Sequence, residues 1–469
     1  MSIYSHPLTG RYHDEEMAEI FADQTTHFIW RRLWEELALA QHQVIPEVIP
    51  REAVQDIEQN LLNIRYDRIQ EIEKRTRHDV MAHLEHYNEV LKPAHQGLLH
   101  LGMTSSFVVD NTWLYQIRQA MCLIREDLRC LVKKLLDIAI DQRTQPMLGY
   151  THMQSAQLTT LGYRVVLWAD DLVKDIKEIN HYLDNIKFHG IKGATGTYSG
   201  MLKLLNGDME KVLQIEKQVA RALGFNESAI IGTQTYSRKT DVQALNILAG
   251  ISQSASKFAQ DIRLLSATGE LSERPGRDQV GSSAMPYKAN PIQSENICSL
   301  ARLVQSHPHT MNQTASQQWL ERSLDDSAIK RIIVPDSFMA TRHILKTYQN
   351  IISNMMIHKD QIDDKILDHL AEIMAENVII GQVRHGISRE DIHERLREIY
   401  TTAKMTGQKV TIEDMARLGG LDNIPEDIYE QEVWEQANLI GDIVTRSVRE
   451  LMTVLRKDDQ KSLEWRGAE

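Results

Sequence analysis

Apolar residues recur at intervals of three or four through most of this chain. The clearest stripe is Val242, Leu245, Leu248, Ile251, Ala255, Phe258, Ile262 and Leu265, which fall on one face of a helix. The same periodicity predicts helices over Phe28 to Ala40, Trp113 to Ile140, Leu158 to Ile186, Met209 to Leu223, Ile292 to Met311 and Ile332 to Met356. Several run well past the usual helix of about 11 to 12 residues. Period-two alternation is scarce, so little strand is expected. Long helices without heptad regularity pack as bundles, and the predicted fold class is all-α, a long-helix bundle flanked by two smaller helical domains.

Glycine and proline interrupt the pattern at Pro46 to Pro50, Pro93 to Gly102, Gly190 to Gly200 and Gly269 to Pro291. The last of these is much longer than the usual helix-to-helix link of about 2 to 8 residues, and long connections in compact domains are commonly functional. Its prolines and polar side chains favour a lid. Toward the C-terminus, Ser388-x-x-Asp391 and Thr411-x-x-Asp414 read as capping boxes, with Gly386 and Gly407 just ahead of them, which predicts short helices. The expected division is an N-terminal helical domain over 1–104, a central bundle with the long connection over 105–357, and a C-terminal helical domain over 358–469.

Composition narrows the function classes. The 469 residues are 42% hydrophobic and 25% charged, ordinary for a globular protein. No run of about 18 apolar residues exists, and the first residues lack a basic region followed by an apolar one, so neither membrane insertion nor secretion is indicated and the cytoplasm is expected. Three cysteines are an odd number; Cys122 and Cys130 on one helix would lie about 12 Å apart, beyond disulfide reach. The net charge of −12 argues against nucleic acid, and an anionic ligand would need cations gathered in a cleft.

Chemistry concentrates in a few places. Gly281-Ser282-Ser283-Ala284-Met285-Pro286-Tyr287-Lys288-Ala289-Asn290-Pro291 carries hydroxyls, an ammonium and an amide within the long connection. Asp79 and His83 have the i, i+4 spacing of metal ligands, with His86 nearby, but no cysteine or glutamate completes a recognisable set, so no metal and no cofactor are expected. Gly190 to Thr197 lacks the Gly-Lys-Ser/Thr ending of a phosphate loop and reads as a tight turn admitting close backbone approach.

The long connection resembles the signature of the fumarase/aspartase superfamily. Further matches follow in order: Arg77-His78-Asp79-Val80-Met81-Ala82-His83, Leu101-Gly102-Met103-Thr104-Ser105, Thr151-His152-Met153-Gln154, Gly232-Thr233-Gln234-Thr235-Tyr236-Ser237-Arg238-Lys239 and Arg322-Ser323-Leu324-Asp325-Asp326-Ser327. Together they are most similar to the adenylosuccinate lyase family. The resemblance implies a lyase that eliminates fumarate from a succinylated purine nucleotide, with Ser282 as base and His152 as general acid. It places Lys288, Asn290, Thr104 and Ser105 around the substrate carboxylate, and Gln234 on the succinyl or base portion. Arg77, His78 and Asp79 are expected to contact substrate, and Arg11, Tyr12, Arg322, Ser327 and Arg331 to take the phosphate. Asn296 departs from the pattern, standing where close relatives carry arginine. The resemblance also implies a homotetramer whose sites draw residues from three chains. A sibling such as argininosuccinate lyase, or a noncatalytic helical scaffold, is the alternative; retention of Ser282, Lys288, Asn290 and His152 together speaks against the scaffold.

Overall fold

The computed structural model describes residues 5–276, 284–285, 287–419 and 426–466. The N-terminal part holds α1 (Glu15–Phe21), α2 (Asp23–Val44), α3 (Arg51–Gln59), α4 (Tyr66–Thr76) and α5 (Asp79–Val90). The centre comprises α6 (Ser105–Asp141), a hairpin of β1 (Pro146–Thr151) and β2 (Gln154–Thr160), α7 (Leu161–Asn185), α8 (Ser199–Leu204), α9 (Met209–Ala222), α10 (Lys239–Ala267), β3 (Leu271–Ser272), α11 (Ile292–Ser316) and α12 (Asp326–Asn354). Then come β4 (Met356–Ile357), α13 (Lys359–Asp368), α14 (Leu370–Arg384), α15 (Arg389–Thr406), α16 (Ile412–Gly419) and α17 (Glu426–Arg466).

The all-α expectation holds: α6, α7, α10, α11 and α12 form the bundle. Every residue of the Val242 to Leu265 stripe except the half-buried Val242 lies in its core, where Phe258 stacks on Tyr348 at 3.7 Å between ring centroids. Burial of that apolar face, at about 25 cal/mol per Å², is what holds such helices together. A second core joins α2, α3 and α5 to Phe188, Val212, Phe225 and Tyr236. A small third one holds Ala371, Val378, Ile392, Leu396 and Met415.

Three sequence expectations need correction. The C-terminal stretch, expected to hold short helices, ends in α17, which is 41 residues long and packs on the central core through Val433, Ala437, Val444, Val448, Leu451 and Leu455. The helix expected from Leu158 starts at Leu161, because Leu158 to Thr160 belong to β2 and Thr160 caps α7 by accepting the Tyr163 amide at 3.1 Å. The helix expected from Trp113 starts at Ser105. The Thr411 capping box forms with Thr411 and Asp414 bonding reciprocally, and at Ser388 the Asp391 amide donates to Ser388 Oγ at 3.1 Å. None of Cys122, Cys130 and Cys298 forms a disulfide. Among the described residues no helix is long and apolar enough to cross a membrane.

Candidate active site

The site residues form two groups, at opposite ends of the bundle. The first begins where α4 ends with Arg77 in the left-handed region, at φ 53°, which turns the chain so that His78 caps α5 by accepting the Met81 amide at 3.4 Å. Asp79, in the first turn of α5, meets Arg331 of α12 at 3.0 Å. The Arg331 side chain is 59% exposed, so this pair is weak and the guanidinium is free to turn toward an anion. Arg322 reaches Asp326 at 2.8 Å, and the Ser327 amide donates to the Leu324 carbonyl at 3.1 Å.

Thr104 precedes α6 and its hydroxyl makes no capping bond. Beside it, Ser106 Oγ meets Gln234 Oε1 at 3.5 Å, while Gln234 Nε2 donates to the Ala194 carbonyl at 3.3 Å and Gln234 N to the Glu321 carbonyl at 3.2 Å. The glycine-rich turn is thus bonded to Gln234. It comes close because Gly196, at φ +81°, lies where a Cβ would fall 2.0 Å from the Gly232 carbonyl.

Beneath this group lies a buried lattice of charge. Arg238 bonds both oxygens of Asp110 at 3.1 and 3.2 Å and, through Nε, Asp326 at 2.6 Å, joining α6 to α12. Burial alone would raise the Asp110 carboxyl, but Arg238 and Lys330 hold it below the usual range. Burial, reinforced by Arg238, pushes the Lys330 ammonium down to about 8. Lys330 contacts the Tyr236 hydroxyl and lies 5.1 Å over the Trp113 ring. The sequence placed Arg238 and Asp326 inside recognisable motifs, but nothing in it marked them as buried or tied them to Asp110.

The second group lies at the far end. His152 and Met153 form the turn between β1 and β2, with φ of 52° and 59°. A two-residue hairpin turn of this kind normally uses Asn or Gly, and each non-glycine in such a region costs on the order of 1–3 kcal/mol. The exposed His152 is held out at a strained tip. Behind it, Tyr150 donates to Glu270 at 3.1 Å; burial and this carboxylate push the phenol up to about 12. Lys288 is exposed and Asn290 half-buried, just before α11. Glu273 caps α11, accepting the Gln293 and Ser294 amides at 3.1 and 2.7 Å, so that helix end is already satisfied. Ser282 lies outside the described residues.

Arg11 and Tyr12 belong to this half as well. The Tyr12 ring meets His343 of α12 edge-on at 4.9 Å, and His343 in turn bonds Asn296 at 3.1 Å. His343 lies twelve residues beyond Arg331, about 18 Å along the helix axis. Glu270, which anchors the hairpin, follows the C-terminal end of α10, whereas Gln234 precedes its N-terminal end. The 29 residues of α10 separate them by about 44 Å. Within one chain, then, the structure unites Arg77, His78, Asp79, Thr104, Ser105, Gln234, Arg322, Ser327 and Arg331 at one end, and keeps His152, Lys288, Asn290, Arg11 and Tyr12 away from them. No group of three or more His, Cys, Asp or Glu suited to a metal occurs among the described residues.

Chemically, the two halves complement each other. One offers hydroxyls, helix-terminal amides and a guanidinium for anions; the other offers an imidazole, an ammonium and an amide for proton transfer and charge stabilisation.

Comparison with known proteins bears on the family and the fold. A family model described as "Lyase" matches residues 10–306. The chain is 36% identical to adenylosuccinate lyase of Saccharomyces cerevisiae over 467 residues, covering 98% of this chain and 96% of that one. It is 40% identical to adenylosuccinate lyase of Schizosaccharomyces pombe over 397 residues, covering 84% and 82% respectively. Among solved structures, 3-carboxy-cis,cis-muconate lactonizing enzyme of Pseudomonas putida superposes with a TM-score of 0.80 at 20% identity, covering 96% of this chain and all of that one. Fumarate lyase of Mesorhizobium sp. BNC1 gives 0.78 at 21% identity, covering 93% and 98%. These two likenesses speak to the fold.

Proposed function

Because the chain belongs to the adenylosuccinate lyase family of the fumarase/aspartase superfamily, we propose that it cleaves adenylosuccinate to AMP and fumarate, and the corresponding succinylated carboxamide ribotide, in purine nucleotide synthesis. The observation that carries this reading is the similarity to adenylosuccinate lyases along nearly the full chain.

Ser282 removes the proton beside a substrate carboxylate, an intrinsically weak acid. Lys288, Asn290 and the Thr104 and Ser105 donors stabilise the dianion that develops there, and their advantage grows as water is excluded. His152 protonates the departing nitrogen. Gln234 holds the succinyl or base portion and Arg77, His78 and Asp79 line the substrate. Arg11, Tyr12, Arg322, Ser327 and Arg331 take the phosphate; the planar fork of arginine suits that anion. Neither a metal nor a cofactor has a step in this scheme.

The two halves of the candidate site lie at opposite ends of the bundle, which supports a homotetramer with each site shared between chains. Exposed Leu167, Leu264 and Leu303 on the long helices leave apolar surface for such packing. We place the protein in the cytoplasm and its domain boundaries near residues 104 and 357. Absorbance assays with purified protein test the activity directly: adenylosuccinate should be consumed with stoichiometric fumarate and AMP. Failure to consume it, with argininosuccinate cleaved instead, would replace this reading by the sibling activity.

A further inference from the structure

The contact between Tyr12, His343 and Asn296 has no part in the scheme above. We infer that His343 and Asn296 act as a positioning pair that fixes the Arg11–Tyr12 turn relative to the helix following the signature segment, and thereby set the affinity for the substrate phosphate. The inference rests on the proposed activity for its choice of ligand.

The geometry is specific. The turn is clamped to α12 from two directions. On one side Arg342 meets Asp14 at 3.1 Å, with Lys346 on the same carboxylate, and Asp14 caps α1 by accepting the Met17 amide at 3.0 Å. On the other, the His343 ring stands edge-on to Tyr12 at 4.9 Å with an interplanar angle of 60°. The cations of the clamp already have carboxylate partners: Arg342 and Lys346 face Asp14, Glu16 and Asp127. Arg11, by contrast, is exposed and has no ion-pair partner among the described residues, so it is the cation this turn offers to an anion.

The link to the signature segment runs through the imidazole. Its Nε2 lies 3.1 Å from the Asn296 amide oxygen, which only accepts, so Nε2 carries the proton and donates. Burial lowers the His343 pKa, which favours the neutral ring this bond uses. Asn296 stands in the first two turns of α11, the helix that Lys288 and Asn290 lead into and that Glu273 caps. An arginine at 296, as the family pattern has it, would supply charge; asparagine supplies a fixed hydrogen-bond acceptor instead. His343 and Asn296 thus set the distance between Arg11 and Lys288 within one chain.

Kinetics of variants test this. One hydrogen bond of about 0.5–1.5 kcal/mol corresponds to a change of about 2- to 12-fold. His343→Ala and Asn296→Ala should each raise KM for adenylosuccinate by such a factor with kcat within about twofold, and the double variant should lose no more than either alone. His343→Gln, which keeps a donor, should recover most of the loss. Succinyladenosine, which lacks the phosphate, should react equally with wild type and variants. Equal losses on both substrates, additive losses in the double variant, or lower thermal midpoints with unchanged KM would overturn the inference. If His343→Ala does not fold, the part-exposed Asn296→Ala carries the test. If the wild type does not cleave adenylosuccinate, the activity reading fails, while weaker AMP binding by His343→Ala in calorimetry still decides the pair.

Discussion

At the scale of single residues, the side chains proposed to carry the chemistry have surroundings that differ sharply. His152 sits on a strained two-residue turn, whereas Gln234 is held on three sides. His152→Ala should lower kcat by about 10²- to 10⁴-fold, the usual worth of a general acid, with little change in thermal midpoint because the side chain is exposed. An unchanged kcat would remove it from the mechanism. Gly196→Ala tests the close approach that serves Gln234. It should cost well over the about 1–2 kcal/mol of a left-handed residue alone, since its Cβ meets a carbonyl, and it should raise KM. Gly207→Ala, at φ +85° with nothing within 4 Å, should cost only the backbone penalty. Urea unfolding of the two variants compares them; equal losses would mean the Gly232 contact is unimportant. The motif singled out His152 as a candidate, but the bond between Tyr150 and Glu270 behind it was not legible, because 120 positions separate the two.

At the scale of elements, the long helices were readable because burial imposes a 3.6-residue period on whichever residues face the core, and Val242 to Leu265 show it plainly. The β1–β2 hairpin was not. Gln154 to Thr160 is largely polar, and its turn is His-Met instead of a glycine-containing pair. Nor could the sequence reveal the lattice joining α6, α10 and α12, since Asp110, Arg238 and Asp326 look like ordinary helix-surface charges until the fold buries them. Asp110→Ala leaves Arg238 buried with one partner fewer and should destabilise the protein by about 3–5 kcal/mol. Denaturant unfolding measures this. A loss below about 1 kcal/mol would mean water or Asp326 compensates.

At the scale of the whole molecule, acid sensitivity should be uneven. Burial holds His83 down to about 3, and His86 and His100 down to about 4, with Arg31 adding to the effect at His83 and His86. These rings are neutral when folded and bind protons more readily when unfolded, near pH 6.5. Their contribution is therefore fully present above about pH 6.5 and is lost progressively as pH falls toward 4 and then 3. All three lie in the second core or beside it, so hydrogen exchange between pH 7 and 5 should rise first in α2 and α5. Uniform acceleration across the bundle would contradict this. Replacing His83 by Gln should flatten the pH dependence.

The separation of the two half-sites along α10 carries a consequence in mass action. A site completed only by neighbouring chains has a concentration of its own, set by the equilibrium between separate and assembled chains, and not by how many chains are folded. If each site is shared between chains as proposed, specific activity should fall on dilution while the far-ultraviolet spectrum stays constant, and crowding or added inactive partner should restore it. Protein abundance would thus act on rate twice, once through the number of chains and again through the fraction that have found company.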